Sequence, residues 1–351
     1  MRTRTRRPIE FYTALPKVEL HRHLEGSLRL STLIDVGREH GLNLAGTDHL
    51  RPLVQIGEDE PYTFENFLSK FTTLRLFYRS PEIIGRITRE AIEDAAVDNI
   101  HYLELRFTPV ALSRAEDFPL GEVMDWVING AREGEESLGV KTRLIVSVNR
   151  HESVDLAARV IQLAVDRQSQ GIVGVDLAGS EATAPADPFV GIFREARQAG
   201  LRVTIHAGEW AGAENVRQAI EDFEAQRVGH GVRVMEDPNI VSLARERGTV
   251  FEVCITSNYQ SGVVSDLDEH PYPRMIDAGL NVTLNTDDPS ISQIVLSNEY
   301  RLANEQIGIP LKKIRDQVFS AAQAAFIPQA ERDELLNYLR AEYQKKIPDL
   351  F

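Results

Sequence analysis

Thiols are nearly absent: Cys254 is the single cysteine among 351 residues. One cysteine excludes an internal disulfide and any zinc site built from three or four thiolates. A metal here must therefore be held mainly by histidine and carboxylate. Long apolar runs are missing too, since no uninterrupted stretch approaches the roughly 18 residues that span a bilayer. Positive charge is in deficit: 39 Lys and Arg against 53 Asp and Glu leave 39 − 53 = −14. That balance argues against a broad nucleic-acid or anionic-membrane surface. The basic start, Met1-Arg2-Thr3-Arg4-Thr5-Arg6-Arg7, has no apolar segment behind it. It reads as a solvated arm over residues 1–10, and the protein as cytosolic.

What is present is a globular composition, 42% hydrophobic and 26% charged, which excludes a disordered or collagenous chain. Short runs rich in Val, Ile, Leu and Phe recur at 18–24, 101–109, 140–150, 173–179, 202–209, 227–231, 250–257 and 281–289. Such runs suit parallel strands buried on both faces. Helical periodicity fills the intervals; Leu156, Val160, Leu163 and Ala164 share one face of 153–168. Gly200, Gly248 and Gly279 stand where helices should end before a strand. Strands alternating with helices predict an α/β fold, a (β/α)8 TIM-type barrel forming one domain over 1–351. A doubly wound open sheet competes, but no Gly-x-Gly-x-x-Gly or Walker loop follows any run. The interval 28–100 is too long for one crossover helix and is expected to hold an insertion of extra helices.

Four places carry chemistry. His21-Arg22-His23 ends the first strand, and residues two apart face the same side. Two such imidazoles suit a divalent metal, or equally a hydrogen-bonded pair. His206-Ala207-Gly208-Glu209 ends the fifth strand, offering a third nitrogen ligand and a general acid/base, or a core histidine before a solvated loop. Gly229-His230-Gly231 ends the sixth, where glycines let the backbone come close and expose the ring, as they would in any tight turn. Thr286-Asp287-Asp288-Pro289 ends the eighth. Adjacent carboxylates there call for a cation or a retained proton, and alone they also suit a helix cap. Together, four polar clusters fall at the C-terminal ends of strands, the face where barrel active sites lie. His21, His23, His206 and Asp287 form a nitrogen-and-oxygen set suited to one Zn2+, with a position left for water whose pKa would fall to about 7. His40, His49, His101, His151 and His270 lack such a context, and Cys254 reads as a small hydrophobe in a buried strand.

These motifs, with Asp176-Leu177-Ala178-Gly179 and the approach Leu15-Pro16-Lys17-Val18-Glu19-Leu20, resemble the adenosine deaminase family of barrel amidohydrolases over most of the chain. The resemblance implies that His21, His23, His206 and Asp287 are zinc ligands. It implies that Glu209 protonates purine N1 and that His230 holds and activates the attacking hydroxide. Asp288 would meet N7 and the Gly179 amide N3, so that adenosine becomes inosine and ammonia. The other zinc deaminase architecture needs Pro-Cys-x-x-Cys, which one cysteine cannot supply. Glu25 stands where the family typically carries the Asp that contacts the ribose 5′-hydroxyl, which leaves the 5′ group open. Alternatives are therefore another 6-aminopurine substrate (aminodeoxyfutalosine, a 5′-modified adenosine, or adenine), with a metal-dependent barrel phosphoesterase behind them. Arg106-Phe107-Thr108-Pro109 resembles the nucleoside enzymes, and Cys254-Ile255 lacks the usual proline. Phe64, Phe67, Leu68 and Phe71 lie at helical spacing, either core packing or a lid over the ribose. The expected partner is a small-molecule purine nucleoside, with no nucleic acid and no membrane, in a monomer or small homo-oligomer.

Overall fold

The apolar runs form eight parallel strands in the computed structural model, which describes residues 6–42 and 46–348. They are β1 (Lys17–His23), β2 (Ile100–Phe107), β3 (Lys141–Asn149), β4 (Ile172–Ala178), β5 (Arg202–Ala207), β6 (Arg227–His230), β7 (Val250–Val253) and β8 (Asn281–Leu284). Each pairs with the next in chain order. The seam between β8 and β1 closes at its upper end through Asp287. The His23 N–H donates to the Asp287 carbonyl at 2.8 Å, and the Asp287 N–H donates to the His21 carbonyl at 3.0 Å. Lower down, side chains replace the ladder: Asn285 Oδ1 accepts from the Leu20 N–H and Glu19 Oε1 from the Thr286 N–H, each at 2.9 Å. This is the expected (β/α)8 barrel, with its seam closed at Asp287.

The last two strands, β7 and β8, stop well short of their apolar runs. The run 250–257 breaks after Val253 because the buried Glu299 carboxyl accepts the N–H groups of Ile255 and Thr256, at 2.8 and 3.2 Å. Those donors begin a helix, Ile255–Gln260, so Cys254 precedes a helix instead of lying in a strand. The run 281–289 ends as a strand at Leu284, before Asp287 adopts a left-handed φ of 65°.

The interval after β1 contains the helices Leu30–Glu39, Thr47–Val54, Phe64–Leu74 and Pro81–Val97. In the last, Ser80 caps the start and Ile84, Ile87, Ala91 and Ala95 form the buried stripe. The helix foreseen over 153–168 runs Val154–Val165, with the Ser153 side chain capping Leu156. The arm expected over 1–10 needs correction at its end. Residues 1–5 lie outside the described residues, but a helix starts at Ile9, because Tyr12 is buried and its hydroxyl donates to Asn304 at 2.8 Å. No described helix is long and apolar enough to cross a membrane.

The barrel interior departs from an apolar filling. Arg106 on β2 reaches Asp176 on β4 at 3.3 Å and Glu252 on β7 at 2.7 Å. Contacts between non-adjacent strands cross the lumen, so these side chains point inward. By alternation, Leu103, Leu105 and Phe107 point outward to the helices. Arg227 joins the network through Glu252 at 2.6 Å and through Glu104. Buried charges persist only when paired, and every charge here has its partner across the lumen.

Candidate active site

His21 and His23 project from the end of β1 to the same side, as strand alternation requires. His206 arrives from β5 and Asp287 from the turn after β8. His21 Nε2 lies 3.1 Å from Asp287 Oδ1, and His23 Nε2 lies 3.3 Å from both Asp287 Oδ1 and His206 Nε2. The ligand atoms of all four residues fall within 4.8 Å of one another. Behind them, His21 Nδ1 meets Glu252 Oε2 at 2.8 Å and His206 Nδ1 meets Asp176 Oδ1 at 2.9 Å. A carboxylate accepts a proton from the near ring nitrogen, so the far nitrogen, Nε2, turns a lone pair inward. Lone pairs and a carboxylate crowded this closely repel, and one divalent cation at their centre satisfies them together. The donor set fits zinc.

Asp176 and Glu252 are held well below the ordinary carboxylate range. Burial opposes this, but His206 and Arg106 overcome it for Asp176, and Arg106 and Arg227 for Glu252. Both remain anionic supports for the histidines. The Ser257 hydroxyl donates to Asp287 Oδ2 at 2.7 Å and fixes the fourth member.

Glu209 sits on a tight turn clamped by Glu181, whose carboxylate accepts the N–H groups of Gly208, Glu209 and Trp210 at 2.8, 2.8 and 2.9 Å. Burial, then the charges of Asp287 and Glu181, push the Glu209 carboxyl well above its usual range, so it keeps its proton. His230 Nε2 stands 3.6 Å from Glu209 Oε1 and 3.9 Å from Asp287 Oδ2. Gly229 permits this crowding, since a Cβ there would come within 3.0 Å of His21 Cε1. Burial holds His230 well below its ordinary value.

In a regular strand Asp287 and Asp288 would face opposite ways. The left-handed turn at Asp287 lets both reach the site. Asp288 lies over Gly26, where a Cβ would collide with its Oδ1 at 1.9 Å. Burial and the Asp287 charge raise the Asp288 carboxyl well above its usual range.

These groups open into a cavity of about 280 Å³. His23, His206, Glu209, His230, Asp287 and Asp288 line it, and Glu25, Phe67, Leu68, Phe71 and Gly179 also form its wall. Phe64 does not. It packs against Trp210, ring centroids 4.3 Å apart, and Trp210 is the wall residue. The stripe therefore divides: Phe67, Leu68 and Phe71 face the cavity, and Phe64 braces it from behind. His151, set aside in the sequence, also lines the cavity, with Arg75. Cys254 is buried among the site's side chains, within ligand reach of His21 and His230, and burial keeps its thiol neutral. Sequence reasoning missed Glu181, Glu252, Ser257 and Asn258. A signal existed for Glu252, a charge between Phe251 and Val253 in a buried strand; loop contacts such as Glu181 leave no periodic trace.

Comparison with known proteins adds the decisive observation. The sequence profile of the family described as adenosine deaminase matches residues 16–342. The chain belongs to the adenosine deaminase family. It is 38% identical over 323 residues to an adenosine deaminase of Vibrio parahaemolyticus, spanning 92% of this chain and 96% of that one. Among solved structures, an amidohydrolase from Burkholderia ambifaria with bound zinc superposes with a TM-score of 0.88 at 26% identity, covering 99% of this chain and 97% of that one. An adenine deaminase from Arthrobacter aurescens gives 0.84 at 25% identity, covering 93% and 98%. In this member of the family, Glu25 Oε1 accepts the Thr108 N–H at 2.5 Å, while Oε2 is buried without a partner. Arg106 lies below the cavity, supporting Asp176 and Glu252, and does not reach the wall.

Proposed function

We propose that the chain hydrolyses adenosine, and with it 2′-deoxyadenosine, to the inosine nucleoside and ammonia, with one zinc ion held by His21, His23, His206 and Asp287. A zinc ion held there would supply the nucleophile at neutral pH, because it lowers the pKa of bound water to about 7. The observation that carries the reading is geometric: the buried Glu209 carboxyl lies within 4.8 Å of both Asp287 and His230, beside the cluster of His21, His23, His206 and Asp287.

The purine C6 is a poor electrophile until the ring gains a proton. Glu209 is the buried acid placed to give one to N1, which draws electron density from C6. His230 and Asp287, both within 4.8 Å of Glu209, orient the nucleophile. Asp288, as a neutral acid, donates to N7, and the Gly179 N–H meets N3. Phe67, Leu68 and Phe71 cover the sugar and keep bulk water out. The free Oε2 of Glu25 is the acceptor available to a ribose hydroxyl. Together these groups favour a nucleoside over the bare base, in line with the 38% relative.

Zinc-loaded protein should release ammonia from adenosine with the matching absorbance change, and turn over adenine and 5′-modified adenosines more slowly. No turnover of any 6-aminopurine would overturn the reading. Glu209→Gln should keep zinc and ligand binding while losing about 10²–10⁴-fold in kcat. Activity surviving that change would remove Glu209 from its role.

A further inference from the structure

Behind His230 runs a hydrogen-bond chain whose direction one backbone group decides. The Tyr272 N–H donates to His270 Nδ1 at 3.1 Å. A backbone amide can only donate, so His270 Nδ1 is an acceptor and the proton of the neutral ring sits on Nε2. The ring is indeed neutral: burial, then Arg274, bring the His270 pKa down to about 3. His270 Nε2 faces Asn258 Oδ1 at 3.4 Å. That contact turns the amide nitrogen of Asn258 toward His230, whose Nδ1 lies 3.1 Å away. The opposite polarity would need a lone pair on His270 Nε2, which the Tyr272 N–H forbids.

We infer that Asn258 and His270 are positioning residues that lock His230 as the tautomer protonated at Nε2, so that it acts on the reaction as a fixed hydrogen-bond donor. The inference deepens the deaminase reading and rests on it for the identity of the reacting atoms. Asn258 Nδ2 donates to His230 Nδ1, leaving Nε2–H as the polar edge that faces Glu209 and Asp287. The site's histidines thus divide by support. Carboxylates behind His21 and His206 put their protons on Nδ1 and free Nε2 for a cation. An amide N–H behind His230 does the reverse, which suits it for an oxygen nucleophile and unsuits it as a fourth nitrogen ligand. A ring locked in this way cannot take up a proton at Nε2, so His230 does not serve as the general base.

The test is the ring-nitrogen NMR spectrum of protein labelled with ¹⁵N-histidine, metal-free and zinc-loaded, with His230 assigned by its loss in His230→Gln. The proton is expected on Nε2 and a bare lone pair on Nδ1. A proton found on Nδ1 overturns the proposal, whether or not adenosine is a substrate. Asn258→Asp supplies the second readout. Its carboxylate accepts from Nδ1, reverses the tautomer, and should lower kcat by about 10²-fold with KM and zinc content little changed. A variant that holds zinc and keeps the wild-type kcat contradicts the assignment. Should it fail to fold, the wild-type spectrum still decides.

Discussion

Asp287 and His230 both adopt left-handed backbone conformations, at φ 65° and 57°, and neither is glycine. Such residues cost of order 1–3 kcal/mol each and persist where their surroundings over-determine them. Asp287 closes the barrel seam with its backbone while its carboxylate meets His21 and Ser257. Another residue makes its own prediction. Glu299 starts the helix Ile255–Gln260, and burial raises its pKa from 4.5 to about 7, against the hydrogen bonds from Thr256 and Ile255. Between those values the folded chain binds more protons than the unfolded one, so the stability Glu299 contributes is full below about pH 4.5 and falls as pH rises toward 7. Glu299→Gln cannot titrate. Its stability relative to wild type should therefore rise across that window, by up to about 3 kcal/mol, in denaturant melts at pH 4.5, 6 and 7.5. A constant difference would show that Glu299 does not hold its proton.

At the scale of elements, the helix Phe64–Leu74 serves core and cavity at once. Phe67 is buried in the core and also lines the cavity, so truncating it perturbs both. Leu68 is half-buried on the cavity wall and is the cleaner probe. Leu68→Ala should raise KM for adenosine roughly tenfold while Tm stays within about 2 °C. A fall in Tm at unchanged KM would return Leu68 to packing alone. This division was only half legible in the sequence, because helical spacing shows which residues share a face and not what that face meets. Strand order and the convergence of His21, His23, His206 and Asp287 were legible, since buried parallel strands read as apolar runs and the two histidines of His-x-His on a strand share one side. The ends of β7 and β8 were not. There a distant carboxyl, Glu299 or Glu19, takes the donors that a ladder would use. Glu181, which holds the Glu209 turn from 28 positions away, is another such contact.

Across the whole molecule, the barrel carries charge where such barrels are commonly filled with branched apolar side chains. Arg106 and Arg227 hold Glu252, Asp176 and Glu104 in place, and two of those carboxylates orient His21 and His206. The lumen is thus a charged base beneath the proposed zinc site, and ligation there should stabilise the fold through mass action. The direct measurement is metal content by elemental mass spectrometry on protein purified without chelator, beside His206→Ala. One transition-metal ion per wild-type chain, and far less in the variant, is the predicted result. Wild-type protein that carries no metal and neither binds added zinc nor gains activity from it would contradict the four-residue centre.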